Sequence, residues 1–301
     1  MGVKFWIKAL RLRTLPLALA TTLVGSGLAY SYGSFNWLVA VLGVLTTLCL
    51  QILSNLANDY GDFKNGKDTA LRIGPERMVH SGKINPARMF KGVLVFIVLS
   101  FIFGVWLIVE GTKGLHFTGL FVFLLLGLAA IAAAIKYTMG KNPYGYMAMG
   151  DVFVFLFFGL AGVGGTWFLH THQFSYEVLL PASAIGFLSV GVLNLNNLRD
   201  FHSDKATRKK TLVIMLGLRN ARIYHALLLI SAFYFTFIYV YVNYEVIWQW
   251  LFLLSFPLIY RNIRAVMNFT EHEKLNVELK NLSLASLVFS LLFVIGQVLA
   301  A

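Results

Sequence analysis

Apolar stretches that are long enough to cross a membrane as helices fill most of this sequence. A helix needs ~20 apolar residues to cross the hydrocarbon core of a bilayer. Nine stretches approach that length, at roughly 14–33, 36–57, 88–110, 116–136, 149–170, 177–197, 222–242, 244–260 and 281–300. The eighth is the shortest and contains Pro257. Because 58% of the 301 residues are hydrophobic and only 13% are charged, we predict an all-α polytopic membrane protein with nine transmembrane helices in one domain, 1–301.

Basic residues are divided unevenly between the two sides of the predicted membrane protein. The net charge of +12 would be compatible with nucleic-acid binding. Of the 25 Lys and Arg residues, however, only Lys113 falls in a loop on the side opposite the N-terminus. Loops that face the cytoplasm carry an excess of Lys and Arg. The charge pattern therefore predicts a cytoplasmic N-terminus, an external C-terminus and no nucleic-acid partner, and no obligatory protein partner is evident.

Acidic and amide side chains cluster where the second predicted span ends. Asn55, Asp59 and Asp62 are spaced i, i+4 and i+7, so they share one face of a helix. Asn58 lies beside them, and Asp68 follows six residues after Asp62. Ionisable residues at the edge of a bilayer are costly, and they indicate a functional site.

A second cluster follows the sixth predicted span. Asn197, Asp200 and Asp204 are spaced i, i+3 and i+7, which again predicts one helix face. Each cluster begins a long polar connection, 59–87 or 198–221. We expect these two cytoplasmic cap loops to form a lid over a site at the ends of the spans.

The chemistry of the two clusters favours a hard cation. Carboxylates with few thiols or imidazoles nearby suit Mg²⁺, whose coordination is completed by substrate phosphates. The seven histidines show no metal-ligand spacing, and His170 and His172 are expected to be external and solvated.

Many cations lie on the same predicted face as the acidic clusters. They are Lys64, Lys67, Arg72, Arg77, Lys83, Lys141, Arg208, Lys209 and Lys210. Taken singly, most are explained as topology determinants or anchors for anionic lipid. As a group next to Mg²⁺-type carboxylates, they suit a diphosphate. Tyr137 and Lys141 are spaced i and i+4 at the end of the fourth span, and an interfacial aromatic with a snorkelling lysine explains them equally well. Arg13 is an ordinary anchor on pattern alone.

Two other classes of membrane protein fit part of this pattern. A cation-coupled transporter also carries intramembrane carboxylates, but those sit near the midplane on broken helices. A structural or lipid-binding protein would use its charges only to set topology. Substituting alanine for Asp62 or Asp200 would abolish the activity of an enzyme or a transporter. The same substitution would have little effect on a structural protein.

Three motifs resemble those of the UbiA superfamily of intramembrane aromatic prenyltransferases. They are Asn58-Asp59-x-x-Asp62, Asp200-x-x-x-Asp204 and Tyr137-x-x-x-Lys141. The resemblance extends from about residue 10 to 220. Arg11-x-Arg13-Thr14-Leu15-Pro16 and Asn196-Asn197-Leu198-Arg199-Asp200 are most similar to the branch that prenylates 1,4-dihydroxy-2-naphthoate in menaquinone synthesis. In two departures, Gly66 replaces a third aspartate, and Arg208 stands where a glycine often precedes the equivalent of Lys209.

The resemblance implies a nine-helix fold around a central cavity in the bacterial inner membrane, open toward membrane lipid. It implies that Mg²⁺ is held by Asn58, Asp59, Asp62, Asp200 and Asp204. It further implies that a polyprenyl diphosphate and a small aromatic acid are bound by Arg13, Asn55, Arg77, Lys83, Asn197 and Lys209. Asp62, Asp68, Tyr137 and Lys141 are the catalytic candidates. Related enzymes that use 4-hydroxybenzoate or another acceptor remain the nearest alternative.

Overall fold

The computed structural model describes residues 2–69 and 72–301, and within them the chain forms twelve α-helices. These are α1 Val3–Leu10, α2 Leu15–Ser31, α3 Trp37–Lys64, α4 Pro86–Gly111, α5 Phe117–Lys136, α6 Gly150–Val154, α7 Gly165–Thr171, α8 Leu179–Arg199, α9 Phe201–Ala206, α10 Leu212–Val242, α11 Phe256–Asn268 and α12 Leu275–Val298. A π-helix, Phe155–Gly164, joins α6 to α7, and a 3-10 helix, Ile247–Ser255, leads into α11.

Eight helical segments of the described chain are long and apolar enough to cross a membrane. They are Val3–Ser31, Trp37–Lys64, Pro86–Gly111, Phe117–Lys136, Gly150–Thr171, Leu179–Arg199, Leu212–Val242 and His272–Val298. The prediction of an all-helical, multi-pass membrane protein is therefore confirmed. The predicted eighth span, 244–260, is not one of the eight, because a 3-10 helix occupies its first part and α11 begins only at Phe256. The count of nine spans and the sides of the termini stay predictions.

Polar residues set where several of these helices begin. Asn36 accepts hydrogen bonds from two backbone N–H groups at the start of α3. Asn85 caps α4 in the same way, and Pro86 supplies its first residue, a position where the missing N–H costs nothing. Thr211 caps α10, whose first residue, Leu212, lies ten residues before the predicted start of that span. Because α10 begins at Leu212, the segment before the predicted span is already helical. Gly217, at φ 74°, kinks the helix near this end.

The spanning helices pack pairwise around a cavity. Close neighbours are α3 with α4, α8 with α10, and α2 with α12, while α8 also packs on the π-helix. The main apolar core is built largely from α2, α8, α10 and α12. In contrast, α5 packs only on one side, mainly against α3 and α4. Of its most apolar 18-residue stretch, only 6% is buried. One wall of the molecule is thus a single helix whose outer face is open.

The two predicted cap loops are partly helical and touch each other. Helix α3 continues to Lys64, so Asp59 and Asp62 are helical residues, as their spacing predicts. Helix α8 ends at Arg199 and α9 begins at Phe201, so the predicted face of Asn197, Asp200 and Asp204 is interrupted at Asp200. Lys67 Nζ lies 2.5 Å from the carbonyl oxygen of Thr207, which joins the α3–α4 loop (65–85) to the end of α9.

The prediction of solvated histidines at the opposite end of the bundle is wrong for His170. Its imidazole is buried. Its Nδ1 accepts a hydrogen bond from the backbone N–H of Asn36 at 3.1 Å, and its Nε2 lies 3.0 Å from Ser26 Oγ. His170 therefore ties α7 to α2 and to the start of α3.

Candidate active site

A cavity of about 330 Å³ lies between the spanning helices, with one polar and one apolar end. Its polar end, beside the acidic motifs, is lined by Arg11, Arg13, Gln51, Asn55, Asn58 and Asn196. Its apolar end is lined by Ile108, Phe123, Leu126, Phe157 and Leu169. Such a shape accommodates an amphiphile whose head is polar and whose tail is hydrocarbon.

Asp62 is the centre of the charged cluster next to the polar end. Its carboxylate is buried and pairs with the guanidinium of Arg77. Lys209 Nζ lies 3.0 Å from Asp62 Oδ1, and Tyr146 donates its hydroxyl hydrogen to the same oxygen at 2.7 Å. The Lys209 ammonium also lies 5.1 Å from the centre of the Tyr146 ring, a cation–π contact. Asp62 is therefore fully engaged by cations and a phenol.

Arg72 joins Asp68 to the second motif. Its Nη1 lies 3.1 Å from Asp68 Oδ1, and its Nη2 lies 3.5 Å from Asp200 Oδ2. Arg77 Nε is 3.6 Å from Asp68 Oδ1, so Arg77 contacts both Asp62 and Asp68. The other carboxylate oxygen of Asp68 is buried and accepts no hydrogen bond from any residue the structure describes. A buried oxygen of this kind is costly unless a ligand satisfies it.

The second motif is held by its own cations. Arg199 is fully buried, and its Nε and Nη2 lie 2.9 and 2.6 Å from the two oxygens of Asp200. Lys209 Nζ lies 3.6 Å from Asp204 Oδ1. Since Lys209 also contacts Asp62, one ammonium bridges the two motifs.

Burial and neighbouring charge separate the acidities of these groups. Burial raises the pKa of Asp68 to about 6, with the nearby carboxylate of Asp62 adding to the shift. Burial likewise raises the pKa of Asp204 to about 7, against the opposing charge of Lys209. Burial also acts to raise the pKa of Asp200, but Arg199 and Arg72 outweigh it and bring that pKa down to about 2. For Lys209, the carboxylates of Asp62 and Asp204 outweigh burial and raise the pKa.

The residues present fit Mg²⁺ by their donor chemistry. Carboxylates and amides supply only oxygen ligands, which a hard cation prefers, and Asp68 keeps one buried oxygen without a hydrogen bond. Among residues 2–69 and 72–301, no three His, Cys, Asp or Glu side chains converge at metal-ligand spacing. Arginine and lysine stand between the carboxylates instead. The carboxylates would exchange these cation contacts for metal coordination.

Asp59 has a different set of partners from the other acidic residues. Its Oδ2 accepts a hydrogen bond from the backbone N–H of Met78 at 3.0 Å, and its Oδ1 accepts one from Val79 at 3.2 Å. Met78 and Val79 are buried in a small apolar core with Leu53 and Leu56 of α3. Asp59 therefore fastens the α3–α4 loop to α3, directly beside Arg77.

Asn55 and Asn58 connect the acidic end of α3 to the cavity. Asn55 Nδ2 donates to the carbonyl oxygen of Leu10 at 2.9 Å and to Thr14 Oγ1 at 3.0 Å, so it anchors the turn between α1 and α2. Asn58 lines the cavity, and its Oδ1 accepts a hydrogen bond from Thr138 Oγ1 at 3.1 Å. One turn of helix separates Asn58 from Asp62, so the cluster adjoins the cavity.

Tyr137 is placed against the cavity, whereas Lys141 is not. Tyr137 lines the cavity, and its ring meets that of Tyr144 edge-on with the centres 5.3 Å apart. Burial raises the pKa of the Tyr137 phenol well above its ordinary value, and the carboxylate of Asp151 adds to the rise. Lys141 is exposed and has no ion pair with any described residue.

The remaining predicted site residues are divided between the cavity and its surroundings. Arg13 lines the polar end, and its Nε has no hydrogen-bond partner in the described chain. Asn197 is buried in the last turn of α8, where its neighbour Asn196 lines the cavity. Lys83 lies 2.5 Å from Glu76 Oε1, with both side chains partly exposed. Lys83 is therefore outside the cluster.

The sequence gives several residues of this site no individual role. Arg72 is predicted only as one member of the cation group that suits a diphosphate, and Arg199 only as part of a motif, yet both are buried partners of the carboxylates. Tyr146 contacts Asp62 from a three-residue 3-10 helix, Tyr144–Tyr146, which is too short for a periodic spacing in the sequence to identify it. Asn196 accepts a hydrogen bond from Arg199 Nη2 at 2.8 Å, and it connects the second motif to the cavity.

Arg208 adopts the backbone conformation that glycine favours. Its φ is 56°, in the left-handed region where a side chain is disfavoured. The turn brings the N–H of Lys209 within 2.9 Å of the carbonyl oxygen of Asp204 and the N–H of Lys210 within 3.1 Å of that of Tyr146. Arg208 therefore occupies this turn in a conformation that glycine would adopt with less strain.

Comparison with known proteins identifies a family over nearly the whole chain. The profile described as the UbiA prenyltransferase family matches residues 18–294. A protein of Escherichia coli named 1,4-dihydroxy-2-naphthoate octaprenyltransferase is 42% identical, over 97% of this chain and 94% of its own length. The protein of the same name from Haemophilus influenzae is also 42% identical, over 98% of this chain and 96% of its length.

Solved structures share the fold at low sequence identity. A UbiA homolog from Aeropyrum pernix in its apo form is 16% identical, with a TM-score of 0.67 over 92% of this chain and 98% of that one. A UbiA homolog from Archaeoglobus fulgidus bound to DMAPP and Mg²⁺ is 18% identical, with a TM-score of 0.62 over 96% of this chain and 99% of that one. These similarities concern the helical architecture.

Proposed function

Because the chain belongs to the UbiA prenyltransferase family, we propose that it transfers a polyprenyl chain from a polyprenyl diphosphate to 1,4-dihydroxy-2-naphthoate. The carboxylate of the acceptor leaves as CO₂, and the immediate product is the hydroquinone form of demethylmenaquinone, which becomes demethylmenaquinone by a separate two-electron oxidation. The names of relatives that match almost the full chain support this acceptor. The one-sided distribution of Lys and Arg supports a reaction at the cytoplasmic face of a bacterial inner membrane.

The observation that carries the proposal is the position of a buried charged cluster against the polar end of an otherwise apolar cavity. Three cations share the carboxylates of the two motifs: Arg72 contacts Asp200, whereas Arg77 and Lys209 contact Asp62. Asn58 and Asn196 lead from that cluster into the cavity. A polyprenyl diphosphate has the same division, with a highly charged head and a hydrocarbon tail. Its head would replace the carboxylates as partner of the three cations.

Asn58, Asp62, Asp68, Asp200 and Asp204 are the side chains that would hold Mg²⁺ together with the diphosphate. When bound, Mg²⁺ neutralises charge on the departing pyrophosphate. Asp59 is better suited to fixing the α3–α4 loop, because both its oxygens already accept backbone hydrogen bonds. That loop carries Arg77 to Asp62, so Asp59 positions a diphosphate-binding residue.

Bond cleavage and bond formation follow from this arrangement. The C1–O bond of the donor breaks, its electron pair leaves with pyrophosphate, and Arg77 and Lys209 stabilise the leaving charge. The allylic carbon becomes cationic, and Tyr137, which lines the cavity, would stabilise it through its aromatic ring. The acceptor ring then forms a bond from its carboxylated carbon to C1. Loss of CO₂ returns the electron pair of the broken C–C bond to the ring.

Purified protein in nanodiscs, with Mg²⁺, octaprenyl diphosphate and 1,4-dihydroxy-2-naphthoate, tests the proposal. We expect mass spectrometry to detect a prenylated, decarboxylated product that is lost with EDTA and in Asp62→Ala. Product with 4-hydroxybenzoate but not with the naphthoate would keep prenyl transfer and refute the acceptor. No product with either acceptor would refute the activity, and cation-driven transport would then be measured in vesicles.

A further inference from the structure

A second cavity of about 290 Å³ adjoins the apolar end of the first. The two cavities share four lining residues, Phe123 and Leu126 of α5, Ala161 of the π-helix and Gly165 of α7. The second cavity continues toward Trp167, Phe174 and Val178, on the side of the bundle away from the acidic motifs. These four shared residues form a neck between the cavities.

The neck is built from the Phe123 ring, the Leu126 side chain and two small residues, Ala161 and Gly165. Phe123 stacks on Phe168 with the ring centres 5.2 Å apart and an interplanar angle of 26°. A Cβ atom at Gly165 would meet only Phe123 Cε1, at 3.7 Å. Gly165 therefore leaves space that a larger side chain would occupy against the Phe123 ring. The π-helix that supplies Ala161 is a form of helix often found at functional sites.

The neck is distant from the reacting end of the first cavity. Tyr137 and Phe123 lie at opposite ends of the cavity wall contributed by α5 and are 14 residues apart. At the rise of an α-helix this corresponds to about 21 Å. A donor held by its diphosphate at the charged cluster would reach the neck only if its tail were long.

Resting on the proposed function, we propose that the second cavity binds the distal isoprene units of long polyprenyl donors, and that Phe123 and Gly165 determine how long a tail can enter. Short donors are held entirely within the first cavity and do not contact the neck. Since a Cβ at Gly165 would already lie in van der Waals contact with the Phe123 ring, a long donor passes the neck with the Phe123 ring rotated away from Gly165. The lining is largely aromatic and aliphatic, which matches an isoprenoid tail and offers few partners to a polar ligand.

Narrowing the neck tests this inference with donors of two lengths. We expect Gly165→Leu to lower kcat/KM for octaprenyl diphosphate at least roughly tenfold, the scale of discrimination by one poorly fitting apolar contact. Its kcat/KM for geranyl diphosphate should stay near the wild-type value. Leu126→Trp narrows the same neck from α5 and should discriminate in the same direction, which guards against a folding defect at position 165.

A second-site change makes the test specific. Phe123→Ala in the Gly165→Leu background should restore octaprenyl transfer, because the added side chain then has room. Phe121→Ala is the matched control, since Phe121 is exposed and lines neither cavity, and it should restore nothing.

Equal slowing of both donors in the two narrowing variants, or no slowing of either donor, would overturn the inference. If the donor tail instead leaves the first cavity sideways into the lipid, neither donor should be slowed. Wild-type turnover of octaprenyl diphosphate reports on the proposed function separately.

Discussion

Lys209 Nζ lies 3.0 Å from Asp62 Oδ1, and it joins two acidic motifs that are far apart in the sequence. The same nitrogen is 3.6 Å from Asp204 Oδ1. Both carboxylates are buried, and so is most of the lysine side chain. This ammonium offsets the repulsion between the carboxylates of the two motifs.

Replacing Lys209 should impair use of the donor. Lys209→Met removes the charge but keeps much of the side-chain volume, and we expect kcat/KM for the donor to fall by roughly 10²-fold, since a preorganised charge on the leaving group is lost. Steady-state kinetics with varied donor measures this. Lys210→Met is the control, because Lys210 is an exposed neighbour. Equal losses in the two variants would contradict a specific role for Lys209.

Binding of Mg²⁺ should depend on the diphosphate. The carboxylates of Asp62, Asp200 and Asp204 are paired with arginine or lysine, so Mg²⁺ alone must displace those cations. We expect Mg²⁺ by itself to change the melting temperature of the protein little, and Mg²⁺ with inorganic pyrophosphate to raise it clearly. EDTA should reverse the rise. A large stabilisation by Mg²⁺ alone would show that the carboxylates are free to bind metal without an anion.

Asparagine substitutions at Asp59 and Asp62 should have different effects, the first on stability and the second on activity. In Asp59→Asn, an NH₂ group faces one of the N–H donors of Met78 and Val79, and we expect a loss of roughly 1–3 kcal/mol of unfolding free energy. The α3–α4 loop should loosen, and trypsin should cut faster after the buried Arg77. Asp62→Asn should lose activity while its trypsin digestion stays slow. Unchanged digestion of Asp59→Asn together with a lost response to Mg²⁺ would instead make Asp59 a metal ligand.

Relieving the backbone at residue 208 should stabilise the protein. Arg208 has a φ of 56°, and glycine avoids the cost of a side chain in that conformation while losing more chain entropy. We expect Arg208→Gly to add roughly 0.5–1 kcal/mol to the unfolding free energy, measured by thermal or denaturant unfolding in detergent. Arg208→Ala removes the charge but keeps the backbone cost, so it should bring no gain. A stabilising alanine would assign the effect to charge.

The positions of the acidic clusters were predictable because helix periodicity and the cost of charge near a bilayer act locally. Asn55, Asp59 and Asp62 do lie buried on α3. Helical spacing does not distinguish Asp59 from Asp62. In the structure, Asp59 accepts hydrogen bonds from backbone N–H groups, whereas Asp62 pairs with cationic side chains. That difference depends on the path of the α3–α4 loop, which periodicity does not describe.

Contacts between distant segments account for the other differences. Arg72 and Tyr146 become site residues only because loops 65–85 and 137–149 meet α3 and the second motif. His170 was assigned to solvent from its place in an external loop, but Asn36 and Ser26 enclose it. The segment 244–260 is helical from Ile247 onward, as a 3-10 helix followed by α11, and its crossing of the membrane stays a prediction.

The open outer face of α5 gives the surrounding lipid a direct mechanical influence on the cavity. Phe123, Leu126 and Tyr137 line the cavity from this helix and its end, while scarcely any of the helix is buried. A bilayer that is too thick or too thin tilts or shifts a span to match its apolar length. Since α5 is held mainly by α3 and α4, such a tilt would change the width of the neck without any change in sequence. If the neck selects donors by length as proposed, we expect the acyl-chain length of the host membrane to influence which donors are accepted.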